Sequence, residues 1–453
     1  MSVKPVSRTE RTFSMLLRPF AAVEPAEVLT ASALTLMVFL LLTAYYLLKT
    51  AREPLILLHG GAEVKSYAAA GQAILMLVVI QAYGAVARRW GRLRVLLSVY
   101  LFFAANLLVF VALTPTSFPI AIPFYLWVGV FNYTSVAQFW AFASDIYSPE
   151  QGKRLFVVLG IGSSVGAVVG AHVAKWLVPF GPQALMFGAV VLLVVCSALL
   201  VSIYARVAAS PVAGRSPPAE EPLGRESPFR LLARDKYLLL IAALTLLINW
   251  VNSNGEYILD RTLLAAVAHG GAQVNAMTFI GKFKAEYFEW VNLVGVLLQL
   301  FAVSRILAKL GVRAALFFLP IVAFGGYTLM VAAPVLSLIR VAKVAENSLD
   351  YSVQNTARQA LYLVASRVEK YVGKTAVDTL FVRLGDVLSA CVVWLSARLA
   401  LSTPSFAAVN LALIGVWLGV VVALGREHRR RSAETDLHAA QSGDASAMGS
   451  VLP

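Results

Sequence analysis

Long apolar blocks, separated by short polar joints, dictate what this chain can become. A helix needs ~20 residues at about 1.5 Å each to cross the hydrocarbon of a bilayer. Blocks of that order cover residues 29–48, 67–86, 93–113, 120–142, 155–177 and 184–205. A second series covers 237–259, 288–307, 314–333, 335–353, 376–399 and 406–424, with a less regular stretch at 265–284 near its start. Of the 453 residues, 59% are hydrophobic and 14% charged, against roughly a quarter charged in a soluble domain. The expectation is an all-α integral membrane protein of about twelve transmembrane helices, with the lipid bilayer as its first partner.

Between the two series, residues 206–236 hold Pro211, Pro217, Pro218, Pro222 and Pro228 among charges and read as a linker. The chain then divides into a leader (1–28), two six-helix halves (29–205 and 237–424) and a polar tail (425–453) expected to be disordered. The leader carries Lys4, Arg8, Arg11 and Arg18 but no compact apolar region ending in a small-residue cleavage site. The formal charge is +14. Its cations gather after even-numbered spans: Arg88, Arg89, Arg92 and Arg94; Arg215, Arg225, Arg230 and Arg234; Arg305, Lys309 and Arg313; Arg426, Arg429, Arg430 and Arg431. Basic loops stay on the inner side, which places both termini in the cytoplasm. No basic stretch carries interleaved aromatics, so nucleic acid is excluded as a partner. Cys196 and Cys391 fall in separate apolar spans, and the five histidines form no H-x-x-x-H pair. No metal site, cofactor or disulfide is expected, and without a nucleophile–base pair neither is an enzyme.

The halves repeat weakly. Ala87-Arg88-Arg89-Trp90-Gly91-Arg92 follows the second span, and Ala308-Lys309-Leu310-Gly311-Val312-Arg313 follows the eighth, about 220 residues on. Glu150-Gln151-Gly152-Lys153 matches Tyr371-Val372-Gly373-Lys374 at the same offset. Two six-helix pseudo-repeats joined by a cytoplasmic linker resemble the major-facilitator plan.

Ionisable groups inside greasy spans are expensive in lipid, so they face partners or a wet path. Lys49, Arg52 and Glu53 close the first span, just before Pro54. They are either interfacial anchors that snorkel, with Pro54 ending the helix, or cations at a cavity mouth facing an anionic substrate. The seventh span carries Asn249, Asn252, Ser253, Asn254, Gly255 and Glu256 in near succession. Either the helix ends early or it is a broken helix lining a cavity. Arg340, Lys343 and Glu346 are three apart and share one face of the tenth span, with Asp350 beyond. They read as an ion-pair network or as gating charges. Lys374, Asp378, Arg383 and Asp386 begin the eleventh span. Gly373-Lys374-Thr375 is not a phosphate-binding loop, since the upstream glycine and preceding strand are missing. Gly160, Gly162, Gly166 and Gly170 of the fifth span allow close helix contact.

Three segments are similar to the ATP/ADP translocases of plastids and intracellular bacteria: residues 46–55, Phe139-Trp140-Ala141-Phe142-Ala143-Ser144-Asp145-Ile146, and residues 370–385. The resemblance runs from about residue 29 to 424. It implies a twelve-helix, major-facilitator-like nucleotide exchanger. The family's Arg-x-x-Lys-Asp run reads here Lys49-Thr50-Ala51-Arg52-Glu53. Its Gly-Lys-Ala-Ala-(Ile/Val)-Asp reads Gly373-Lys374-Thr375-Ala376-Val377-Asp378, and its acidic residue in helix seven has a counterpart in Glu256. Its glutamate in helix four is replaced by Val128, with Asn132 the nearest polar residue.

Together these readings give an alternating-access antiporter of nucleotide or a related phosphorylated anion, working as a monomer. Lys49, Arg52, Asn132, Asn252, Glu256, Lys374 and Asp378 would form the substrate site, with Glu256 and Asp378 pairing with the cations when substrate is absent. Glu53, Arg340, Lys343, Glu346, Arg383 and Asp386 would gate. A facilitator of another solute, proton-coupled through Glu256 or Asp378, and a non-transporting accessory or sensor protein are the rival readings.

Overall fold

The computed structural model describes residues 24, 27–87, 92–208, 231–232, 234–270, 275–366, 369 and 373–448, and the regular elements among them are all helical. The long helices are α1 (Val28–Ala87), α2 (Arg92–Leu113), α3 (Ala121–Ile146), α4 (Pro149–Leu177), α5 (Pro182–Ala208), α6 (Lys236–His269), α7 (Ala276–Leu298), α8 (Ser304–Ala332), α9 (Leu336–Leu349), α10 (Asn355–Leu361), α11 (Val382–Arg398) and α12 (Thr403–Met448). Wider π-helical turns occupy Gln299–Val303, Asp350–Gln354 and Val377–Phe381. Among the described residues, eight stretches are long and apolar enough to cross a membrane. The basic turn at 88–91, most of the linker and residues 370–372 lie outside the described residues.

The chain forms two compact units. The first is Met1–Ala219 with Leu264–Leu293, and the second is Glu220–Leu263 with Val294–Pro453. The sequence halves therefore do not coincide with the units, because residues 264–293 of the second half belong to the first unit. In that unit α1 packs along α3, α4 and α5, while α2 packs on α5. Ser148 caps α4: its hydroxyl accepts from Gln151 N at 3.3 Å, and Gln151 Oε1 accepts from Ser148 N at 3.0 Å. This reciprocal arrangement satisfies two backbone donors that a helix start leaves open.

The glycine stripe of α4 acts as expected at three of its four positions. A Cβ on Gly162 would lie 2.9 Å from Thr35 O, one on Gly166 2.4 Å from Phe39 O, and one on Gly170 2.8 Å from Thr43 Cα. Gly160 has nothing within 4 Å. Without side chains at those positions the α1 backbone approaches so closely that Thr43 Oγ1 donates to Gly166 O at 3.2 Å. Phe103, Phe110, Phe124, Trp127 and Phe131 fill the space between α2 and α3 by edge-to-face and stacked contacts.

In the second unit α8 packs against α12 and α9. Three expectations are corrected by the helices. The polar run 249–256 neither breaks nor ends α6, which stays helical from Lys236 to His269. Asn252, Ser253, Asn254 and Glu256 find partners on neighbouring helices and Asn249 donates to Thr245 O of its own, so the helix has no reason to unwind. The less regular stretch at 265–284 is mostly helix, belonging to α6 and α7. The tail from Gly425 continues α12 as helix to Met448, beginning with the helix-forming run Arg426-Glu427-His428-Arg429-Arg430-Arg431.

Candidate substrate and ion-pair sites

In the first unit, the charges at 49–53 are not at a helix end. α1 continues through Pro54 to Gly61, whose φ of 74° breaks the helical path. Leu55, Ile56 and Leu57 are buried, so core packing holds the helix together despite the donor that Pro54 lacks. The reading of these residues as snorkelling anchors is overturned by their burial. Glu53 has 2% of its side chain exposed and Arg52 12%.

Glu53 organises the cluster. Its Oε2 lies 2.5 Å from Lys65 Nζ and 3.6 Å from Lys284 Nζ, and its Oε1 is 3.2 Å from Arg52 Nε. Neither Lys65 nor Lys284 was a candidate, although each is an ionisable group in or beside an apolar run. Their pairing with Glu53 was invisible because it joins residues 12 and 231 positions apart. A buried ion left uncompensated is very unfavourable, which is why these charges meet.

Arg52 holds its guanidinium over one aromatic ring, with Cζ 4.5 Å from the Tyr125 ring centroid. Glu53 takes only Nε, so Nη1 and Nη2 make no hydrogen bond among the described residues. Lys49 Nζ stands in a cage of rings, 4.1 Å from Phe288, 5.2 Å from Tyr46 and 5.9 Å from Tyr45. Tyr46 donates to Asn292 Oδ1 at 2.9 Å. Two further pairs tie α7 to α4: Glu289 with His172 at 2.7 Å and Glu286 with Lys175 at 2.8 Å. Asn132 is half-buried on α3, two helical turns from Tyr125 on the same face.

In the second unit Lys343 and Glu346 are both buried and form a pair at 3.0 Å. Lys343 Nζ also donates to Asn252 Oδ1 at 2.8 Å. Gly255 makes room for this, since a Cβ there would lie 2.0 Å from Tyr327 Oη and 2.7 Å from Lys343 Nζ. Asn347 donates to Glu256 at 3.2 Å. Beside them Asn254 donates to Asn410 Oδ1 at 2.8 Å, Ser389 donates to Asn254 Oδ1 at 2.8 Å, and Asn410 donates to Val251 O at 3.2 Å. This ladder knits α6, α11 and α12. Asn410, Ser389 and Tyr327 were not singled out, because one polar group in an apolar helix carries no mark of its partner.

Asp386 accepts from Ser253 at 2.8 Å and pairs with Arg383 at 3.4 Å. Lys374 Nζ lies 5.7 Å from the Tyr362 ring, and Asp378, one turn on, has an Oδ1 with no hydrogen-bond partner among the described residues. Arg340 is half-buried on α9. Within the first unit, the carboxylate that Arg52 meets is Glu53.

No protein-family model matches the chain. A relative, ADP,ATP carrier protein 1 of Chlamydia pneumoniae, is 21% identical over 362 residues, covering 68% of this chain and 67% of the relative. Among solved structures, the nucleoside transporter NupG superposes with a TM-score of 0.62 at 13% identity, over 87% of this chain and 98% of that one. The POT family transporter PepTSo gives 0.62 at 11% identity, over 89% and 98%. The human organic anion transporter MFSD10 gives 0.56 at 15% identity, over 89% and 100%. All are carriers rather than enzymes. The chain is a multi-pass membrane protein that shares the fold of these major-facilitator-like transporters and is similar in sequence to an ADP,ATP carrier protein.

Proposed function

We propose that this transporter exchanges nucleotides, or a closely related phosphorylated anion, across a bacterial plasma membrane, and that Arg52 with Lys49 receives the phosphates. The observation that carries this is the guanidinium of Arg52, buried in α1, braced by Tyr125 and Glu53, with both terminal nitrogens unengaged among the described residues. A planar fork of that kind binds two oxygens of one phosphate at once. Similarity to an ADP,ATP carrier supports the substrate class. Replacement of the family's helix-four glutamate by Val128 widens it beyond strict ATP-for-ADP exchange.

Twelve crossings fit the helices well. The stretches Val28–Val79 and Ala276–Ala332 are 52 and 57 residues long, about twice what one crossing needs. Each is interrupted by a glycine with left-handed φ, Gly61 at 74° and Gly311 at 77°. Counting each as two, and adding α3 and the α9–α10 rod, gives twelve crossings with both termini in the cytoplasm, as the basic residues Arg305, Lys309, Arg426 and Arg429 favour.

The test is uptake of labelled ATP into nucleotide-loaded vesicles containing the purified chain. Arg52→Ala abolishes uptake, and Arg52→Lys raises KM, since a lysine offers a point charge in place of a fork. Lys374→Ala and Asp378→Asn, in the second unit, are measured alongside. Undiminished uptake by Arg52→Ala removes Arg52 from the site.

A further inference from the structure

The apolar run of α12 ends at Leu424, and the helix continues beyond it with two unlike faces. Arg426, Arg429 and Arg430 are exposed, while Glu427 is buried and His428 and Arg431 are half-buried. The three exposed arginines are spaced three and four apart and share one face of the helix. Residues 427, 428 and 431 fall on the opposite face.

That inner face is held by a dense set of contacts within the second unit. Arg431 Nη2 donates to both carboxylate oxygens of Asp235, at 2.7 and 2.6 Å, and Nη1 donates to those of Glu369 at 3.3 Å each. Arg431 Cζ also lies 4.7 Å from the Tyr237 ring centroid. Asp235 Oδ1 in turn accepts from Tyr237 N at 2.8 Å and Leu238 N at 3.1 Å, at the start of α6. His428 Nδ1 lies 2.8 Å from the Tyr237 hydroxyl oxygen. A bidentate arginine–carboxylate pair fixes orientation as well as contact. The arginines on the outer face are therefore carried at set positions on a docked helix.

The outer face continues a lipid-facing one. Val422 is 40% exposed and lies one turn before Arg426 on the same side of α12. A side that meets acyl chains at Val422 meets headgroups next. From Leu424 to Arg430 the helix rises ~9 Å, and the polar layer of one leaflet is about 5–8 Å thick. Arginine stems bend back toward that layer, so all three guanidinium groups reach phosphate level. α8 adds to the charge beside them. It packs on α12, and a Cβ on Gly425 would lie 3.4 Å from Arg313 Nε. Arg305 and Lys309, earlier on α8, are exposed. Residues 425–433 hold one carboxylate, Glu427, which pairs with Arg430 at 2.9 Å.

From this placement we propose that Arg426, Arg429 and Arg430 bind the headgroups of anionic phospholipids, on a helix that Arg431 anchors through Asp235 and Glu369. Guanidinium groups match phosphate oxygens, and clustered cations next to a membrane span attract anionic lipid. Continuity with the exposed Val422 favours lipid over an acidic soluble protein, which would need no acyl-facing surface beside its site. The site rests on α12 crossing a membrane and is independent of what the protein carries.

Photo-crosslinking of the full chain in vesicles tests this. Val422→benzoylphenylalanine places the label beside the arginines, and mass spectrometry identifies the captured lipid. From equal amounts of phosphatidylglycerol and phosphatidylcholine, the labelled protein captures phosphatidylglycerol at least about fivefold more, the factor that one cation near the surface supplies. Adding R426Q, R429Q and R430Q together brings the ratio to about one, and raised salt lowers it. Equal capture of the two lipids by the labelled protein overturns the site, as does an unchanged ratio in the triple variant. Arg431→Met, which removes the anchor from the inner face, lowers the ratio as well. A full ratio in that variant overturns the anchoring role. Capture of a protein in place of lipid in whole membranes overturns the assignment to phospholipid.

Discussion

Neutralising Glu53 is the most informative single change to the first unit. Its carboxylate contacts Lys65 at 2.5 Å, Arg52 at 3.2 Å and Lys284 at 3.6 Å, and Lys284 is fully buried. Glu53→Gln keeps the shape but leaves these cations facing an amide. Removing one partner of a buried ion pair typically costs about 3–5 kcal/mol, because the remaining charge loses its compensation. With an unfolding entropy of about 2.1 cal/mol/K per residue, a chain of this length gives about 1 kcal/mol/K, so Tm should fall by roughly 3–5 °C. Differential scanning fluorimetry of the purified protein reads this directly. An anion that meets the same cations should restore part of the loss, since a ligand at a hundredfold excess over Kd adds about 2.7 kcal/mol. ATP should therefore raise the Tm of Glu53→Gln at least as much as that of wild type. A variant that melts within a degree of wild type refutes the view that Glu53 holds the cluster together. A variant that melts early and gains nothing from ATP, phosphate or other organic anions refutes the cluster as an anion site.

Three further outcomes follow from close contacts. Gly166→Val should destabilise the first unit strongly, because its new Cβ meets the Phe39 backbone, while Gly160→Ala, with nothing within 4 Å, should be neutral or slightly stabilising in the same melt. Tyr237→Phe removes the hydrogen bond given to Leu361 O at 2.7 Å and leaves that carbonyl unsatisfied, at a cost of about 1–3 kcal/mol, readable as a lower Tm. Gly255→Ala drives a new Cβ against Tyr327 and Lys343, and it should lower the Tm more than Gly326→Ala, whose new Cβ meets Ala342 Cβ at 3.1 Å.

Much of the architecture was readable from residue order, and the reasons are physical. Lipid tolerates only long apolar helices, so the span pattern showed through composition alone. Unpaired ions are rare in such spans, so Lys49, Arg52, Lys343 and Glu346 drew notice, and Lys343 and Glu346, three apart on the face shared with Arg340, meet at 3.0 Å. What residue order could not reveal was set by tertiary contact. Pro54 looked like a terminus, but the buried Leu55-Ile56-Leu57 run holds α1 together past it. The polar run in α6 looked like a break, but Asn410, Ser389 and Tyr327 arrive from distant positions to satisfy it. Lys284 lay in a stretch that seemed irregular, and its carboxylate partner is on the first helix.

The glycines of α4 recur every fourth residue, so their gaps are spaced about 6 Å apart along the axis. Thr35, Phe39 and Thr43 of α1 are seated in these gaps like teeth in a rack. A rack of this kind has detents. Shifting α1 by a fraction of a turn would lift its backbone out of these gaps. The first helix can therefore rest only in registers a whole turn apart, and gradual axial creep of Arg52 is forbidden. Any displacement of that arginine during transport must come from tilting the α1–α4 pair as one beam or from swivelling at Gly61.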